Sequence, residues 1–381
     1  MSRMRCRGLG AVTVAAAAAL AVPAAPVAHA AIPAEAKLQR QLNSLVAAEG
    51  GPPGAIVTLR RGARLRVLTA GVADVRKPRA PRASDHMRIA SVAKAFNGAV
   101  ALRLVADGKL GLDDTIGALL PALPRAWSAV TVRQMLNHTS GLPDYTQSKG
   151  FVRQFTNDPG GFVSPAKILG WVRRDKLVFK PGSRYEYSNT DNIVVGLMAE
   201  QVSGRSYLAL LEEIVFEPLG LSRTSFPIRP ALPQPFIHGY LVDEMGTPED
   251  VSTLLSPSGA WASGGIVSTP RDLNEFIGAY LAGRLFPTSL QGEQLRFVAR
   301  GESSPAGPGR NAAGLAVFRY RTKCGTVYGH TGNFPGYVQF AAASRDGGRA
   351  VTTSLNIPAP TGKLLARLRA MQQAAVCALL R

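Results

Sequence analysis

Cysteine is scarce, with three among 381 residues, too few for a disulfide framework or a cysteine-ligated metal cluster. Histidine numbers only five. Beyond residue 30 these are His86, His138, His238 and His330. They form no H-E-x-x-H and no close pair, so the ligand pattern of a zinc site is missing. The chain also lacks G-x-x-x-x-G-K-[ST] and G-x-G-x-x-G, which removes the usual support for nucleotide binding, and G-x-S-x-G, which argues against an α/β-hydrolase triad. Acidic residues are few, 25 against 44 basic, leaving a net charge of +19. Such a balance raises the question of nucleic acid. The arginines are scattered singly or in twos, however, with no basic run interleaved with aromatics, so no nucleic-acid partner is expected. A solvated basic surface, suited to anionic cell-wall polymers, accounts for the charge more economically.

Long apolar runs are absent but for one. Arg3, Arg5 and Arg7 precede an alanine-rich stretch from Leu9 to Val22, and Ala28-His29-Ala30 offers a small-x-small cleavage site. Residues 1–30 are therefore expected to be a secretory signal peptide cleaved near Ala30, too short and wrongly flanked for a membrane anchor. A secreted, extracellular protein follows. Cys324 and Cys377 then remain, and in an oxidising exterior an even pair most simply forms one disulfide; two buried free thiols are the alternative.

With 46% hydrophobic residues the chain can bury a large core. Residues 34–49 carry Leu38, Leu42, Leu45 and Val46 on one helical stripe. Ala55–Leu59 and Leu65–Ala70 read as a hairpin across Arg60-Arg61-Gly62. The middle is helical in period and broken by Pro and Gly, with helices at Thr131–Leu136, Pro165–Arg174 and Asn192–Val202. Ser268-Thr269-Pro270-Arg271-Asp272 caps a helix to Leu281. Strands follow at Leu315–Arg321, Thr326–His330, Tyr337–Ser344 and Arg349–Leu355, then an amphipathic helix from Lys363 to Leu380. This predicts an α/β (α+β) fold: an antiparallel sheet from about 31–110 and 260–381, flanked by N- and C-terminal helices, with a mostly helical region inserted at about 111–259.

The chemistry centres on Ser91-Val92-Ala93-Lys94. Residues three apart share a helix face, so the Lys94 amine can approach the Ser91 hydroxyl. A serine is a weak nucleophile until a base takes its proton, and a lysine withdrawn from water can be that base. Two further stretches could complete a site. In Tyr187-Ser188-Asn189, a phenol flanked by cations could have a lowered pKa and exchange protons. Asn189, pointing the same way in an extended segment, could hold a substrate amide. In His330-Thr331-Gly332-Asn333, a strand end could present its edge to an extended substrate. The N–H groups of Ser91 and Asn333 would there form an oxyanion hole. His138-Thr139-Ser140 follows a helix and reads as a structural loop, and Trp261, beside a Gly-rich turn, reads as core.

In this order the three motifs S-x-x-K, Y-S-N and H-T-G resemble those of the penicillin-recognising serine hydrolases. The variant looks like the class C β-lactamase-related group, most like secreted D-alanyl-D-alanine carboxypeptidases of the actinobacterial type. The likeness extends to Leu136–Leu142, to the Trp261–Gly265 turn and to the Cys324 and Cys377 pair. It implies a β-lactamase/transpeptidase-like fold with the site between sheet and helical region, no cofactor or metal, and no membrane anchor. It implies Ser91 as the acylated nucleophile, Lys94 and Tyr187 in proton transfer, and Asn189, His330, Thr331 and Gly332 in substrate binding. Partners would be a small peptide or acyl substrate such as a peptidoglycan fragment, with β-lactams as acylating ligands, and the chain is expected to be a monomer. An esterase or β-lactamase of the same group, and a catalytically silent cell-wall or peptide-binding protein, are the alternatives. With His330 in place of the lysine of K-T-G, the site charge would follow pH. A carboxypeptidase would need an arginine for the substrate carboxylate. Arg319 and Arg321 share one strand face and Phe318 and Tyr320 the other; if the aromatics face inward, a less polar acyl substrate is implied.

Overall fold

The computed structural model describes residues 33–243, 246–299 and 301–381; the expected signal peptide lies outside them. Among the described residues, no helix is long and apolar enough to cross a membrane. Helix α1 (Pro33–Val46) leads to the hairpin β1 (Gly54–Arg61) and β2 (Arg64–Gly71). A 3-10 turn, Ala90–Val92, opens α2 (Ala93–Ala106), and α3 (Val132–Leu136), α4 (Lys149–Asn157), α5 (Pro165–Gly170) and α6 (Asn189–Ser203) follow. After α7 (Pro270–Leu281) come β3 (Arg310–Ala313), β4 (Phe318–Thr322), β5 (Gly325–Phe334), β6 (Tyr337–Ala343), β7 (Arg349–Leu355) and the closing helix α8 (Gly362–Leu380).

The seven strands form one antiparallel sheet in the order β2-β1-β7-β6-β5-β4-β3. The two ends of the chain meet where Ala55 pairs with Leu355. Alternation along β1 divides the core in two. Ala55, Val57 and Leu59 point to a layer containing Leu38 and Leu42 of α1 and Met371 and Val376 of α8. Ile56 points the opposite way, to the larger core containing α2, α6 and α7. There Phe96 of α2 and Phe276 of α7 stack with centroids 3.5 Å apart. The mixed fold matches the expectation, and α7 begins at the anticipated cap, the Thr269 hydroxyl accepting from Asp272 N–H.

Several elements differ from the sequence reading, among them β5, which was expected to end at His330 and runs on to Phe334. The expected Pro165–Arg174 helix stops at Gly170. β4 starts three residues late, because Ala316 takes a left-handed φ of 51° and turns the chain aside. β3, which no apolar alternation marks, is held by pairing Arg310–Ala313 with β4.

Cys324, in the β4–β5 turn, is disulfide-bonded to Cys377 of α8, 53 residues on. Closing such a loop restricts the unfolded chain and should contribute about 4 kcal/mol. Urea unfolding of the Cys324→Ser, Cys377→Ser double variant is expected to show a loss of that order, without loss of the native fold at low denaturant. Unchanged stability would mean that the bridge adds nothing to the α8 packing.

Candidate active site

Ser91 sits in the 3-10 turn, one residue after Ala90, whose φ of 51° is strained for a residue with a Cβ. The turn is held tightly against β5. A Cβ at Gly332 would fall 2.6 Å from the Ile89 carbonyl oxygen and 3.0 Å from the Ser91 nitrogen. Only glycine lets the strand approach so closely. Gly332 is thus a packing requirement of the serine turn.

Lys94, on the first turn of α2, is fully buried. Its Nζ donates to three acceptors: Ser91 Oγ at 3.0 Å, Asn189 Oδ1 at 2.8 Å and the Ser263 carbonyl at 2.7 Å. Desolvation lowers its pKa to about 7, against the opposing charges of Asp144 and Asp191. Half of the amines are then neutral near neutral pH, and a neutral amine can accept a proton from Ser91.

Tyr187 departs from expectation. Its hydroxyl oxygen is buried with no partner within hydrogen-bond geometry. Desolvation raises its pKa well above the phenol value, only partly offset by the nearby Ser91 hydroxyl. The neighbouring cation turns away, as Arg184 pairs with Glu186 at 2.8 Å and stacks on Phe179. Lys94 Nζ lies 5.1 Å from the phenol ring centroid. The phenol is therefore neutral and suited to donating a proton. Two proton-handling groups with pKa values pushed apart meet at one serine.

Asn189 is the first residue of α6, after the extended Ser188, and not part of an extended segment. Its Nδ2 donates to Asp144 Oδ2 at 2.9 Å while its Oδ1 accepts from Lys94. The side chain thus ties the lysine to a carboxylate.

His330 and Thr331 are fully buried and do not line the cleft. Burial, with Lys94 adding to it, holds the His330 pKa well below its ordinary value. The pH-dependent site charge read from the sequence is therefore not available near neutrality. Asn333 does line the cleft, and its Oδ1 accepts from Ala359 N–H at 2.7 Å. The arginine question is settled by packing. Phe318 and Tyr320 are buried, Arg319 lies over Phe297, and Arg321 is exposed. None of these arginines reaches the cleft.

The cleft has a volume of about 400 Å³. Besides Ser91, Tyr187, Asn189 and Asn333 it is walled by Ser263 of the Trp261–Gly265 turn and by residues that the sequence reading missed, among them Asp144, Tyr145, Phe151, Phe155 and Ser304. Asp144 and Tyr145 follow the Leu136–Leu142 stretch after one proline, Pro143, a signal that could have found them. The His138 loop does support the site: His138 Nδ1 contacts Asp191 of α6 at 2.7 Å, and its ring lies 4.4 Å from that of Tyr187. Trp261 is core, packed 5.0 Å from Tyr207.

Comparison with known proteins agrees with this arrangement. The family model described as Beta-lactamase matches residues 36–376. Penicillin-binding protein 4* of Bacillus subtilis is 26% identical over 299 residues, 74% of this chain, which spans 63% of that protein. A D-stereospecific amidohydrolase from Streptomyces superposes with a TM-score of 0.76 at 32% identity, covering 85% of this chain and 94% of that one. The D-amino acid amidase of Ochrobactrum anthropi superposes with a TM-score of 0.79 at 25% identity, covering 91% and 98%. With the family model spanning nearly the whole described chain, this protein belongs to the Beta-lactamase family.

Proposed function

We propose that the protein hydrolyses amides of D-amino acids that carry a free α-amine, through an acyl-enzyme on Ser91. The observation that carries this reading is the charge of the cleft. Among the described residues its lining includes one carboxylate, Asp144, and no arginine, lysine or histidine. The wall of this cleft is complementary to an ammonium group, and with Lys94 buried behind Ser91 on its three acceptors the described lining presents no cation to a free C-terminal carboxylate. Phe151 and Phe155 beside it suit an apolar side chain. The D-stereospecific amidohydrolase and D-amino acid amidase among the similar structures support the configuration.

In this reading Lys94 takes the Ser91 proton as Oγ bonds to the carbonyl carbon. The backbone N–H groups of Ser91 and Asn333 receive the oxyanion. Tyr187 donates its proton to the leaving nitrogen as the C–N bond breaks, releasing ammonia, and is reprotonated from Lys94. Water then hydrolyses the ester, returning the Ser91 hydroxyl and the free acid. No cofactor enters these steps.

The D-alanyl-D-alanine carboxypeptidase reading keeps the same Ser91 chemistry, and the likeness to Penicillin-binding protein 4* speaks for it. The secretion expected from residues 1–30 would place either activity outside the cell.

Steady-state rates on D-phenylalanine amide, its L-enantiomer and its N-acetyl derivative decide between them. The free D-amide is expected to be preferred, and Asp144→Asn should raise its KM by about 10-fold or more relative to that of the N-acetyl compound, a ratio from which any change passed to Lys94 through Asn189 cancels. A peptide ending in D-Ala-D-Ala turning over faster than any D-amide would overturn the amine-directed reading in favour of the carboxypeptidase.

A further inference from the structure

β5 runs beyond its neighbour. β4 pairs with it from Thr322–Gly325 as far as Phe318–Gly329, and residues 330–334 have β6 on one side only. Two-residue turns bound β5 at both ends, closing on Thr322–Gly325 and on Phe334–Tyr337. Such turns close on a hydrogen-bonded pair, and the antiparallel ladder then alternates. Counting by twos from either end gives one answer: the odd-numbered residues of β5 direct N–H and C=O away from β6. Thr331 and Asn333 therefore face an edge that no strand occupies, and an open edge is where an extended substrate would add.

Another segment, Glu302 to Gly307, reaches β5 beside that edge, bonded to it at Thr331 and held elsewhere by side chains of β4, α8 and their neighbours. Tyr185 Oη donates to the Glu302 carbonyl at 2.5 Å, and Tyr320 Oη donates to Ser303 Oγ at 3.0 Å. Thr331 Oγ1 donates to the Pro305 carbonyl at 2.6 Å. Gly307 N–H donates to Asn311 Oδ1 at 3.0 Å, and Arg369 Nε to the Gly307 carbonyl at 3.2 Å. A Cβ at Gly307 would lie 2.2 Å from the Tyr320 ring, so the segment is packed down with no slack. Thr331 is fully buried, and Ser304 is the residue of this segment that lines the cleft, as Asn333 of β5 does.

We propose that residues 302–307 are a stop on the leaving-group side, with Ser304 meeting the departing group. The site then accepts primary amides and short leaving groups in preference to peptides that continue along the edge. The assignment of sides rests on the proposed function: the acyl group, with its amine and side chain, occupies the Asp144, Phe151 and Phe155 end, which leaves the Ser304 end for what departs. The proton donor agrees with it. Tyr187 must reach the leaving nitrogen, and Tyr185, two residues earlier, anchors the stop.

The test uses the full chain and two substrate series, D-phenylalanyl and N-acetyl-D-alanyl, each with ammonia, D-alanine or D-alanyl-D-alanine as leaving group. Whichever series is turned over decides the acyl-side reading, while the stop is read from the trend along it. kcat/KM is expected to fall about 30-fold or more from amide to the longest leaving group. Tyr320→Phe, which unpins Ser303, and Ser304→Gly should each shrink that ratio at least about 5-fold by gain on the longest substrate. Equal rates along the series in the wild type would overturn the stop even if the acyl-side reading stands. Variants that leave the ratio unmoved would also overturn it, and no turnover in either series would overturn both.

Discussion

Ser91→Ala is expected to lower turnover of any amide or ester substrate by about 10⁴-fold or more, because it removes the hydroxyl that the Lys94 amine contacts. Lys94 would remain buried, with Asn189 Oδ1 and the Ser263 carbonyl as its acceptors, so the fold should survive. The clean measurement is intact mass after incubation with a penicillin. Wild type should gain one acyl adduct and Ser91→Ala none. The time course adds a second result, since a lasting adduct describes a penicillin-trapped hydrolase and a fleeting one a β-lactamase. Adduct formation on the alanine variant would remove Ser91 from the mechanism.

Lys94→Ala is expected to slow acylation by about 10²–10⁴-fold, the usual worth of a positioned general base. The pH dependence is the sharper readout. A lysine with its pKa lowered to about 7 by desolvation is half neutral there. The reactive form is the neutral amine, so acylation should rise with pH through about 7 and level off above it. Tyr187, its pKa raised by burial, stays protonated across this range and should add no second inflection below pH 9 or so. His330, its pKa held well below the ordinary value by burial, should add none near neutrality. Single-turnover rates with an activated D-amino acid ester between pH 5 and 9 would show the step. A flat profile in wild type, or a step that survives Lys94→Ala, would assign the base to another group.

Much of the fold was legible because its signals are local. The apolar stripe of α1 and the Thr269 cap of α7 each act over a few residues, and each marks its element where the structure has it. β3 was not legible, since a short edge strand is held by its neighbour's hydrogen bonds and needs no pattern of its own. The start of β4 was misplaced for a related reason: the left-handed Ala316 ends the strand, and its N–H bonds to the Leu136 carbonyl of a distant helix.

The candidate site divides the same way. Spacing alone put Ser91 and Lys94 within reach of each other, because three residues on a helix is a fixed distance. The order of the motifs carried Tyr187 and Asn333 to the same cleft. The electrostatics could not be read in advance. Whether a phenol is acidic or a histidine charged depends on who is buried beside it, and packing gave Tyr187 a raised pKa and His330 a lowered one. Nor could spacing show that Asp144 supplies the charge of the cleft, that both strand arginines turn away, or that residues 302–307 cover Thr331. The sequence by itself determined the family, the sheet and helices, and the serine–lysine pair, all set by local pattern and motif. The sign of the cleft's charge, the protonation of its acid and base and the length of open strand edge were decided only when distant segments packed together, since desolvation and occlusion are properties of neighbours in space.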